Sequence, residues 1–182
     1  MPHIKLPENS PGIIGPMLAY PHTDGHLNAL AQALLRDPSS SLAPAEREMI
    51  ATFVSSGNEC YFCTQCHAAA ARELYGGASG IVDQVLDDVR TAPVSERMKA
   101  LLTIADKVRR DGRLVSPTDI ERARTAGADD RAIHDTVLIA AAFCMYNRYV
   151  DGLATWTPRE PAVYKEIGER LAARGYQSNR VR

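Results

Sequence analysis

The chain has 182 residues, 45% of them hydrophobic and 24% charged, with a formal net charge of −1. That length can bury a real core, and the interspersed Lys, Arg, Asp and Glu leave no basic stripe to track a phosphate backbone, which argues against a nucleic-acid partner. The longest apolar run, Val137 to Tyr146, is about half of the ~20 residues a membrane span needs, so no membrane partner is expected.

Residues 1–23 carry Pro2, Pro7, Pro11, Pro16 and Pro21 and read as an extended arm ahead of one all-α unit over 24–182. Leu27, Leu30, Ala31, Leu34 and Leu35 then recur at helical spacing until Asp37-Pro38-Ser39 breaks the pattern. Pro44 suits the first turn of the next helix, with Glu46 and Glu48 near its positive end and Met49, Ile50, Phe53 and Val54 on its core face. Ser55-Ser56-Gly57-Asn58 ends it, and the segment Cys60-Tyr61-Phe62-Cys63-Thr64-Gln65-Cys66-His67 opens another helix that runs to about Tyr75 before Gly76-Gly77.

A short helix over Ile81–Val89 follows, then one on which Met98, Leu101, Leu102, Ala105 and Val108 share a face. Ser116-Pro117-Thr118-Asp119 starts the next, which stops at Gly127. Asp129 caps a long apolar helix over Arg131–Val150, and a last helix near Ala162–Ala173 leads into a polar tail. No stretch alternates with period two, and the expected fold class is all-α.

The first residues, Met1 to Ser10, lack the basic start and apolar core of an export signal. A cytoplasmic protein is therefore expected, in a compartment where thiols are kept reduced and four cysteines are poor grounds for structural disulfides. Three of the four fall between Cys60 and Cys66, which points to reactive or metal-binding sulfur.

Three chemistries fit that cluster. Cys60 and Cys63 form a Cys-x-x-Cys at a helix start, where backbone N–H groups favour a thiolate. His67 lies four residues beyond Cys63, on the same helix face, and can accept its proton. A peroxide would oxidise such a thiolate to a sulfenic acid, which the other cysteine would condense with to give a disulfide. The string Cys63-Thr64-Gln65-Cys66-His67 also matches a c-type haem attachment motif, but haem attachment normally takes place outside the cytosol. A metal or iron–sulfur site would use Cys60, Cys63 and Cys66 with His67 or Cys144, yet Ala70 stands where a ferredoxin run wants its next cysteine and no second zinc knuckle exists.

Blander roles suit other positions. Cys144 reads as a small buried apolar residue and Cys66 as a packing residue. His134 reads as a satisfied core histidine, and Trp156 and Tyr149 as packing for the C-terminal turn. Arg148 needs a carboxylate partner or an exit to solvent.

Glu48, followed by Cys60, Cys63 and His67, resembles the active-site pattern of the alkylhydroperoxidase D-like, peroxidase-related branch of the carboxymuconolactone decarboxylase superfamily. Arg47-Glu48-Met49-Ile50, Ser56-Gly57-Asn58-Glu59-Cys60, Ala68-Ala69-Ala70 and the later Ala141-Ala142-Phe143 and Asn147-Arg148-Tyr149 are similar to that group over roughly residues 25–155. The resemblance implies a fold of helical hairpins that assembles into homo-oligomers, as dimer, trimer or hexamer. It implies Cys63 as the thiol that meets peroxide, Cys60 as its resolving partner, His67 as proton acceptor and Glu48 as the carboxylate behind the histidine. The substrate would be a small hydroperoxide and the recycling partner a thiol protein or small thiol, with no cofactor and no metal. In one respect the chain departs from the pattern: Phe62 stands where the family has a histidine just before the second cysteine. A non-redox, lactone-decarboxylase-like enzyme on the same scaffold is the alternative.

Overall fold

A computed structural model describes residues 1–76 and 80–177. Among these every regular element is helical: α1 Ile14–Ala19, α2 Pro21–Arg36, α3 Pro44–Gly57, α4 Tyr61–Leu74, α5 Ile81–Asp87, α6 Glu96–Arg110, a 3₁₀ turn at Gly112–Leu114, α7 Pro117–Thr125, α8 Asp130–Gly152 and α9 Pro161–Arg174. Gly77 of the expected break, and residues 178–182 of the expected polar tail, lie outside the described residues.

The helix starts follow from local chemistry. Pro21, Pro44, Pro117 and Pro161 sit in first turns, where a missing N–H costs nothing. Ser95, Ser116 and Asp129 accept hydrogen bonds from Met98, Asp119 and Ala132 and so satisfy free N–H groups at three N-termini. At α7 the Asp119 carboxylate returns a bond to the Ser116 N–H at 2.8 Å, completing a reciprocal cap. Gly127 takes φ 93°, the left-handed value that stops the helix after Thr125.

The core is built from α3, α4, α6 and α8. Helix α3 lies along α4, α4 is covered on its other side by α9, and α8 spans α3 and α6. Met49, Ile50, Val54, Leu101, Leu102, Ile104, Ile139 and Phe143 are almost wholly buried between them. Such a side chain contributes about 1.5–3 kcal/mol when taken out of water. A smaller cluster of Cys60, Phe62, Cys63, Cys66, Val150 and Tyr164 joins the start of α4 to α8 and α9.

The segment expected to be extended is partly helical: α1 lies within it and α2 begins at Pro21. Pro16 is inside the first turn of α1, where a proline is accommodated, so proline content alone misreads this stretch. His134 is not a core residue. Its side chain is exposed and its Nδ1 lies 2.9 Å from Asp135. Trp156 does not pack the C-terminal turn either but is exposed, whereas Tyr149 is half-buried. Arg148 takes the solvent exit and donates to the Cys144 carbonyl. Cys144 is only partly buried and has polar neighbours, the Asn58 amide and the Arg109 carbonyl. No helix among the described residues is long and apolar enough to cross a membrane.

Candidate active site

The link between α3 and α4 places the cysteines. Glu59 takes φ 60° to reverse the chain, and the Cys60 N–H donates to the Ser55 carbonyl at 3.0 Å. Cys60 is thus the N-cap of α4, with extended backbone angles, and its carbonyl accepts from the Thr64 N–H at 3.0 Å and the Thr64 hydroxyl at 2.8 Å. Cys63 lies in the first turn and His67 one turn later, as their spacing predicts.

The two thiols are free and share a hydrogen bond. Cys60 is wholly buried and its thiol is pushed far up by the bond to Cys63 and by burial, with the Asp151 carboxylate adding to the effect. Cys66 is buried as well, and burial pushes its thiol up. Among the described residues no cluster of three or more His, Cys, Asp and Glu side chains is arranged to hold a metal.

Behind His67 stands Glu48, which has no exposed surface. Its Oε2 lies 2.7 Å from His67 Nδ1, and its Oε1 accepts from Arg36 at 2.6 Å and from the Tyr176 hydroxyl at 2.7 Å. Burial pushes the Glu48 carboxyl up, but His67, Arg36 and Tyr176 together outweigh it and hold the group below the ordinary carboxylate range. An ionised carboxylate can only accept, so Nδ1 carries the ring proton and Nε2 is left as the basic nitrogen of the neutral imidazole. The ring is fixed from both faces of the site: Phe143 meets it edge-on at 4.6 Å and Tyr176 stacks on it at 6.0 Å.

Cys63, Cys66 and His67 line a cavity of about 120 Å³ between α1, α2, α4, α8 and α9. Its other walls are mostly apolar, among them Ile13, Met17, Leu27, Phe143 and Ile167, with Arg170 at the edge. Phe62 is part of that wall. It packs edge-on against Tyr164 at 6.1 Å, and Gly12, at φ 53°, is tucked so close that a Cβ there would run into the Phe62 ring. The position where the family pattern has a histidine is therefore used for packing.

The geometry thus brings Glu48 and His67 into contact and seats Cys63 and His67 on one cavity. Cys60 touches Cys63 but is not among the residues lining it. Arg36 and Tyr176 escape sequence reasoning, because they reach Glu48 from 12 and 128 positions away with no motif to mark them.

Residues 21–107 match the model of the carboxymuconolactone decarboxylase family. A peroxidase-related protein from Silicibacter sp. TM1040 shares 32% identity, with 77% of this chain and 71% of that one aligned and a TM-score of 0.69. The chain belongs to the alkylhydroperoxidase D-like, peroxidase-related branch of the carboxymuconolactone decarboxylase superfamily.

Two other structures agree with that placement. The alkylhydroperoxidase AhpD core of a peroxidase-related protein from Ralstonia eutropha JMP134 is 26% identical, covers 87% of this chain and 80% of its own, and gives a TM-score of 0.76. A protein of unknown function from Agrobacterium tumefaciens, described as a candidate antioxidant defence protein AhpD, is 24% identical. It covers 82% of this chain and 99% of its own with a TM-score of 0.68, and shows the shared fold. No curated protein matches the chain. Within this alkylhydroperoxidase D-like frame the all-α class read from periodicity holds for the described residues.

Proposed function

We propose that this alkylhydroperoxidase D-like protein is a thiol-dependent hydroperoxide reductase, with disulfide exchange through the same Cys60–Cys63 pair as the related activity. The observation that supports the reading is the buried Glu48–His67 hydrogen bond at 2.7 Å beside the cavity that Cys63 and His67 share. A positioned base next to a thiol is what nucleophilic sulfur chemistry needs, and a carboxylate behind the imidazole fixes its tautomer and orientation.

In this mechanism His67 Nε2 takes the Cys63 proton, and the thiolate attacks the distal peroxide oxygen. The O–O bond breaks, Cys63 becomes a sulfenic acid, and the alkoxide leaves with a proton to give an alcohol. The Cys60 sulfur then attacks the Cys63 sulfur and expels water, and a thiol protein or small thiol reduces the disulfide. Apolar walls suit an organic hydroperoxide. Neither a metal nor a cofactor enters any of these steps.

The test is peroxide consumption by the reduced protein with cumene hydroperoxide. The parent consumes one equivalent and gains a Cys60–Cys63 bond; Cys63→Ser loses the reaction; Cys60→Ser stops at an oxidised Cys63. Undiminished consumption by both variants would rule the mechanism out and turn attention to lactone substrates.

A further inference from the structure

The mechanism gives Cys63 a base and leaves Cys60 without one. Cys60 has to lose a proton when it attacks the oxidised Cys63, yet it is wholly buried and its thiol is pushed far up. His67 lies on the cavity side of Cys63, with Nδ1 committed to Glu48.

A different carboxylate meets Cys60. Asp151, in the last turn of α8, follows Val150, which packs with Cys60 in the smaller buried cluster, and its carboxylate is the one that bears on the Cys60 thiol. It is exposed to solvent and, with Asn58, Asn147, Arg148 and Gly152, lines a polar depression that has no residue in common with the apolar cavity. Asp151 makes no ion pair among the described residues. Arg148, on the same helix, bonds the Cys144 carbonyl. The negative end of α8 raises the proton affinity of a carboxylate placed there, and partial burial pushes the Asp151 carboxyl up in the same direction.

We infer that Asp151 is the proton acceptor for Cys60, a catalytic residue for disulfide formation that acts from the opposite side of the cysteine pair to His67. The inference rests on the redox reading of that pair. As the Cys60 S–H bond breaks, its proton passes to an Asp151 oxygen and the Cys60 sulfur bonds the Cys63 sulfur. The Cys63 S–O bond breaks, and hydroxide leaves with a proton from His67 as water. When a reductant thiolate later attacks Cys63, Asp151 returns its proton to the departing Cys60.

The experiment dispenses with peroxide. Reduced full-length protein is mixed with one equivalent of dithiodipyridine, an aromatic disulfide whose thiopyridone product absorbs strongly, and quenched samples are mapped by mass spectrometry. The first release leaves a mixed disulfide on Cys63; the second reports attack by Cys60, forming the Cys60–Cys63 bond while the pair of electrons leaves with thiopyridone.

Asp151→Asn is expected to leave the first release unchanged and to slow the second roughly tenfold near neutral pH, the low side for a general base because water has access to the site. The second phase should also move to higher pH, and Asp151→Glu should restore it. Equal second-phase rates in parent and Asp151→Asn would overturn the inference. A parent that forms no Cys60–Cys63 bond would instead overturn the redox reading itself, and the role of Asp151 with it.

Discussion

Three donors converge on the Glu48 carboxylate: His67 Nδ1, Arg36 and the Tyr176 hydroxyl. A buried charge persists only where such partners replace its lost hydration. Glu48, Cys60, Cys63 and His67 were legible in the sequence because they lie on two consecutive helices within 19 positions, where spacing translates directly into faces. Arg36 and Tyr176 were not, because their proximity depends on how α2 and α9 pack. Tyr176→Phe removes one donor while keeping the stacked ring. A hydrogen bond to a charged group is worth about 1.5–3 kcal/mol, and urea unfolding at neutral pH should show a loss of that size. The pH dependence has a definite sign. Glu48 is held below its ordinary 4.5, so its contribution is complete above that value and is lost as pH falls through the lowered one. The gap between parent and Tyr176→Phe should therefore close as the solution is acidified. A gap constant from neutral pH to well below 4.5 would show that Tyr176 acts by packing alone.

The same dependence on packing governs the helices themselves. Periodicity and caps found α6, α7, α8 and α9 nearly to their ends, because Ser116, Asp129 and the prolines act locally. Nothing local marks Gly168 as special. It is buried in α9, and a Cβ there would come within 2.5 Å of the Ala69 Cβ and 2.7 Å of the Ala69 carbonyl carbon on α4. Helix α9 thus approaches the active-site helix through a backbone contact that admits no side chain. Gly168→Val should force the helices apart, at a cost of about 1–3 kcal/mol for overpacking. It should also displace Tyr176, which follows α9 and depends on it to reach Glu48. The expected outcome is a lower midpoint of thermal unfolding together with slower oxidation of Cys63. A variant as stable as the parent would mean that α9 can shift without loss. The misread residues have the same origin: His134 lies on the outer face of α8 and Trp156 in the exposed link between α8 and α9, and neither position is set by its local sequence.

At the scale of the whole molecule, several large apolar side chains have nothing over them. Leu138 and Met145 are 40% and 44% exposed and stand seven residues apart on α8, with exposed Ala141 between them on the same face. Leu18, Tyr20 and Trp156 are exposed to a similar degree. Scattered apolar residues are ordinary on a protein surface, whereas an aligned stripe on a long helix has the form of a contact face. Phe143 and Tyr146, which wall the active-site cavity, lie on the buried side of the same helix, so covering the stripe would stiffen the helix that holds His67 edge-on. Homo-oligomerisation, as a dimer, trimer or hexamer, is expected from the family resemblance, with the α8 stripe at the interface. Light scattering should return a small multiple of the 19.9 kDa chain mass. Met145→Glu, which places a charge in that face without touching the core, should shift the protein toward one chain's mass. A parent that scatters as a single chain would contradict the expectation, and a Met145→Glu oligomer of unchanged mass would move the interface elsewhere, to the exposed Leu18 and Tyr20.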